Sequence, residues 1–129
     1  MNTKLVMTAS AAVLGVLGLG LTFMPTEAAG LLEISAEKNM IIIFQLLGAL
    51  YFGFAMINWN TRRSLIGGIY NKPIAMGNFS HFLIAGMALL KNISNYPELP
   101  FTLVGLSICY LAFAILFGFI SFTHPLIES

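Results

Sequence analysis

Two histidines, a set of asparagines and a pair of arginines are the side chains with chemistry to offer in an otherwise apolar chain. Asn78 and His81 stand three residues apart, so on a helix they share one face. Asn58 and Asn60 flank Trp59, just before Arg62-Arg63. An imidazole inside a membrane span is a functional candidate by default, as proton acceptor, ligand or polar anchor. It also titrates near neutrality. Asn58, Asn60, Asn78 and His81 are therefore the candidate ligand-binding pocket: neutral hydrogen-bonding groups around one titratable base. The competing role is structural. His81 bonded to Asn58 or Asn78 would fix two helices to each other, and such bonds average about 0.6 kcal/mol in membrane bundles.

Other chemistries find fewer residues. No Asp or Glu lies inside any apolar run, which argues against a proton-coupled carrier, because proton relays use such carboxylates. A haem held by His81 and His124 fails on depth. His81 stands about 10 Å into its helix at 1.5 Å per residue, and His124 stands at a helix end. There is no glycine-rich phosphate loop, no metal-spaced cluster and no paired carboxylate, so no cofactor or metal is expected. Cys109, the single cysteine, reads as a small buried hydrophobe and excludes an internal disulfide. Gln45 reads as an interhelical hydrogen-bonder. Trp59, Arg62 and Arg63 read as anchors at the membrane interface, with a specific anionic ligand at the arginines as the sharper alternative.

The spacing of charges supplies the elements that hold these residues. Stretches of 22, 23, 18 and 29 residues without Asp, Glu, Lys or Arg lie between Lys4 and Glu27, Lys38 and Arg62, Lys72 and Lys91, and Glu98 and Glu128. A membrane helix needs about 20 apolar residues. The expectation is four spans, near 5–24, 40–59, 73–91 and 101–122. Pro25 closes the first, Asn71-Lys72-Pro73 opens the third, Tyr96 to Pro100 turns tightly into the fourth, and His124-Pro125 stops it. Gly67-Gly68 marks a turn in a loop whose apolar residues suit the interface. The segment from Leu31 to Lys38 reads as a short amphipathic helix. Small residues four apart (Ala11 and Gly15, Ala49 and Gly53, Ala114 and Gly118) suit helix contacts, and Gly77, His81, Ala85 and Ala88 form a stripe on the third span.

Composition agrees. Among 129 residues, 58% are hydrophobic and 9% charged, with mean hydropathy +0.90. Soluble domains carry about 25% charged residues, so a soluble globular protein and a disordered one are both excluded. The net charge of +1 offers no field for nucleic acid. Basic residues divide four (Lys4, Arg62, Arg63, Lys72) against two (Lys38, Lys91), which places both termini in the cytoplasm. The first span has a rival reading as a secretory signal ending near Thr26-Glu27-Ala28, but its apolar run is long for a signal core.

The organisation resembles the small bacterial four-helix membrane proteins of the DoxX-like type. The resemblance rests on size, four spans, a proline-ended first helix and a polar corner carrying Asn58-Trp59-Asn60 and Gly77-Asn78-Phe79-Ser80-His81-Phe82. It implies a compact bundle in the bacterial inner membrane, linked in some relatives to redox or quinone processes. The expectation is thus an all-α, up-down four-helix transmembrane bundle forming a single domain over 1–129. Its partners would be the lipid bilayer and a second copy or another membrane protein. Its role would be that of a non-enzymatic subunit or accessory factor. The alternatives are a small-solute carrier or channel, or a lipid- or quinone-handling enzyme.

Overall fold

The computed structural model describes residues 1–125 and is all-helical: α1 (Thr3–Phe23), α2 (Pro25–Leu31), α3 (Lys38–Thr61), α4 (Lys72–Asn95) and α5 (Phe101–Phe122). Among the described residues there is no strand; Gly67 and Tyr70 form one isolated bridge. The four long helices have 21 to 24 residues, about 31–36 Å at 1.5 Å per residue, enough for a hydrocarbon core of about 30 Å. They are the four spans expected of a transmembrane four-helix bundle, with ends displaced from the expected bounds by no more than four residues. Their outer residues are apolar: Val16, Leu50 and Ile115 are 72%, 70% and 74% exposed, which in water would be an aggregating surface. A membrane is the location that accommodates them.

The chain divides into two compact units. Met7–Arg62 forms one; Met1–Val6 with the chain from Arg63 onward forms the other.

In the first unit α1 and α3 run antiparallel. The contacts descend α3 as they climb α1: Ser10 meets Asn58, Gly15 meets Ala55, Gly18 meets Gly48 and Phe52, and Thr22 meets Gln45. Backbones touch at Gly18 and Gly48. A Cβ on Gly48 would lie 2.7 Å from the Gly18 carbonyl oxygen, and a Cβ on Gly18 would lie 2.8 Å from that of Gly48. In lipid, where apolar burial gives no net drive between helices, such close approach supplies the dispersion energy.

The expected short helix in this unit forms earlier than its pattern suggested, over Pro25–Leu31, and 32–37 is not helical. Pro25 occupies the first turn of α2, where its fixed φ favours a helix start. Glu33 then takes a left-handed φ of 55°, Ile34 N–H donates to Ala29 O (2.9 Å) and Glu33 N–H to Gly30 O (3.1 Å). This is a Schellman termination, with Glu where glycine is usual.

In the second unit α4 and α5 pack antiparallel around Phe82. Its ring stacks on Phe113 (4.9 Å between centroids) and Phe117 (5.7 Å), with Tyr110 edge-on at 5.1 Å. The buried positions on α4 are Ala75, Asn78, Phe82 and Gly86, rotated from the expected stripe of Gly77, His81, Ala85 and Ala88. The α3–α4 connection is docked rather than loose. Gly67 N–H and Tyr70 N–H exchange hydrogen bonds with each other's carbonyls (3.0 and 2.9 Å). Ile66 is buried. Gly67, at φ +132°, lies so close to α5 that a Cβ would stand 2.9 Å from Thr123 O and 3.0 Å from Ile120 O. Tyr70 meets His124 edge-on at 5.6 Å. Asn71 caps α4 from the left-handed region, where Asn is tolerated, while its side chain donates to Leu65 O (2.7 Å).

Candidate functional site

Asn58 lies near the C-terminal end of α3 and is fully buried. Its Nδ2 donates to Ser10 Oγ (3.1 Å), and that hydroxyl donates to Met7 O (2.9 Å). Two helices are thereby joined by a relay whose members are neutral. Asn60, two residues on, points elsewhere: its Nδ2 donates to Met56 O of its own helix (2.8 Å), and the residue is exposed.

Asn78 is buried on α4 and donates to Ile74 O (3.0 Å), one turn back. His81 follows it by three residues, and its half-buried ring packs 5.0 Å from Phe82 and 5.4 Å from Tyr110. The imidazole therefore borders the aromatic cluster of α4 and α5. Gln45 donates to Thr22 O across the α1–α3 contact (3.3 Å). The structure thus gives Asn58, Asn60 and Asn78 hydrogen-bond acceptors, and gives His81 aromatic neighbours.

Trp59 and Arg62 pack on each other. The Arg62 guanidinium lies 3.8 Å above the Trp59 ring, a cation–π contact, and also donates to the Trp59 carbonyl. Arg63 is exposed. Cys109 is half-buried on α5. Among the described residues no group of three or more His, Cys, Asp or Glu side chains is gathered to hold a metal ion.

None of the four asparagine and histidine candidates lines either of two hollows formed by the described residues. One, of about 660 Å³, lies where the docked loop meets the end of α5 and the first residues of the chain. Its polar wall is Asn2, Thr3, Ser64, Thr123 and His124. That volume falls within the 300–1,000 Å³ usual for small-molecule sites. The other is a groove of about 230 Å³ along α1 and α3, between Ala11, Gly15 and Ala55 with Trp59 at one end.

Sequence reasoning overlooked Ser10 and Tyr110. A hydroxyl at Ser10 between Ala9 and Ala11 is the available signal for the first: a polar atom in a stretch of small residues, where a partner can come close. It also did not assemble the polar wall at His124, because its members are scattered between residues 2 and 124 and meet through the loop docking. Set against protein families, curated proteins and solved structures, the chain matches none.

Proposed function

We propose that this membrane protein acts without catalysis, as a subunit or accessory factor that works through helix–helix association. It would sit in the bacterial inner membrane with both termini in the cytoplasm, as one of the DoxX-like small bundles. The observation that carries the reading is the use of the intramembrane amides. Asn58 and Gln45 bond across α1 and α3, and Asn78 and Asn60 bond to their own helices. Groups that bind a solute present polar atoms to a cavity; these are directed at helices. The four-to-two distribution of basic residues supports the orientation. The outward apolar surface of the spans supports association within the bilayer.

The test is native mass spectrometry of the protein released gently from its own membrane with its lipids. A homo-oligomer or a larger complex is the expected result. A lone chain carrying a reproducible non-lipid small molecule would overturn it. The second reading, a small-solute carrier or channel, or a lipid- or quinone-handling enzyme, draws support from the 660 Å³ hollow beside His124. His124→Ala and His81→Ala separate the two locations: a site at the hollow is lost with the first and kept with the second.

A further inference from the structure

The groove on α1 and α3 ends on a cation, and that combination carries an inference independent of the subunit reading. Its floor is Ala11, Gly15 and Ala55, and its walls are the exposed side chains of Phe52, Met56 and Trp59. From Phe52 to Trp59 it runs seven residues of α3, about 10 Å, which lies within one leaflet of a core about 30 Å thick. At about 230 Å³ it is narrow for a folded small molecule and suited to a single hydrocarbon chain. Trp59 closes the groove at its interfacial end, and the guanidinium of Arg62 lies on that indole.

Arg62 is held in place. The cation–π contact and the bond to the Trp59 carbonyl fix the plane of the guanidinium, and four of its five N–H donors are left for a ligand. Nothing nearby in sequence neutralises it. Residues 39 to 97 contain no Asp or Glu, Arg63 follows directly, and among the described residues no carboxylate pairs with Arg62. An apolar slot for a chain, running up to a positioned and uncompensated guanidinium, matches a molecule with a hydrocarbon tail and an anionic phosphate head.

We propose that this groove is a binding site for an anionic phospholipid, with one acyl chain lying along Ala11, Gly15 and Ala55 and the phosphate accepted by Arg62. Arginine presents parallel donors that fit a phosphate, which lysine does not reproduce.

The experiment is native mass spectrometry of the full chain taken from vesicles of equal dioleoylphosphatidylglycerol and dioleoylphosphatidylcholine. One retained lipid per chain is expected, with the anionic species favoured about five-fold, the gain of one cation near an anionic surface. Arg62→Gln should bring the ratio to about one while lipid is still retained. Gly15→Leu should lower retention of both lipids by filling the slot. An added Cβ at Gly15 would meet only Ala55 Cβ, at 3.7 Å, an ordinary contact. Should that variant fail to fold, Ala12→Leu at the exposed rim replaces it. Lys91→Gln, remote in sequence, should change nothing. Equal retention of the two lipids by the wild type, a ratio unchanged in Arg62→Gln, or full retention in Gly15→Leu and Ala12→Leu would each overturn the proposal. So would a lipid-free dimer that Gly15→Leu dissociates, since the groove would then hold a second copy.

Discussion

Gly48→Ala tests whether the α1–α3 pair is held by backbone contact. The new Cβ would meet Gly18 O at 2.7 Å and Thr22 N at 2.8 Å, both backbone atoms, with Thr22 Oγ1 closer still. A rotated Thr22 hydroxyl could relieve the last of these, but not the first two. An ordinary carbon–oxygen contact needs about 3.3 Å, so the helices must part locally by about 0.6 Å. A gap of 0.5–1 Å forfeits roughly a quarter to a half of each contact's dispersion energy, and overpacking of this kind costs about 1–3 kcal/mol. Reversible unfolding in mixed micelles, titrated with a denaturing detergent, measures it.

The control is Gly53→Ala on the same helix, where an added Cβ has nothing within 4 Å. There the change should be neutral or stabilising, by up to about 1 kcal/mol from helix propensity. Gly18→Ala should resemble Gly48→Ala, because its Cβ would stand 2.7 Å from Phe52 N. The double variant should cost clearly less than both single losses together. Helices already parted for one methyl have room for the other, and residues in contact couple in this way. If Gly48→Ala is as stable as Gly53→Ala, the backbone contact is not what holds the pair.

Asn58→Ala should destabilise the protein by about 0.6–1.7 kcal/mol, and the effect should shrink in a Ser10→Ala background, whereas Asn60→Ala should be silent; the same unfolding assay with a double-mutant cycle reads all three. Gly67→Ala, at φ +132° and 2.9 Å from Thr123 O, should lift the loop off α5, seen as faster hydrogen exchange at Ile66 and new protease cleavage there. Gly68→Asn, at φ +57° with its Cβ 3.4 Å from His124 Cα, should leave both readouts unchanged. Glu33→Gly should stabilise by about 0.5–1 kcal/mol, because it removes left-handed strain of roughly 1–2 kcal/mol while adding part of that back as chain entropy in the unfolded state.

The charge gaps made the spans legible because a bilayer excludes charge, so Lys4, Lys38, Arg62, Lys72, Lys91 and Glu98 had to bracket the apolar stretches of the helices. What they did not reveal is rotation about each helix axis. In a soluble helix a polar face marks the outside; here lipid and protein interior are equally apolar, and the pattern of hydropathy is flat. Ala49 and Gly53 therefore looked as good as any small pair, yet Gly53 faces open space and Gly18 meets Gly48. On α4 the same ambiguity displaced the expected stripe, so that Phe82 and Gly86, not Ala85 and Ala88, are buried. Among the candidate residues, Asn58 found a partner that no local pattern announces, since Ser10 is 48 positions away.

The two helix pairs solve the same problem by different means, and the difference bears on where function is to be sought. Between α1 and α3 the backbones approach at Gly18 and Gly48, where no side chain intervenes, and the amides of Asn58 and Gln45 bond across the contact. Small residues that allow such approach also leave a shallow slot beside it, from Ala11 to Trp59, which lipid must fill or a partner must cover. Between α4 and α5 the reverse holds. Phe82, Tyr110, Phe113 and Phe117 fill the contact with rings, and Leu111 closes over Gly86. Its hollow lies at the end instead, where Gly67 and Gly68 bring the loop down onto α5. The side of α1 and α3 is thus shaped for something long and apolar, and the end of α5 for something small and polar. A ligand's own chemistry decides between them.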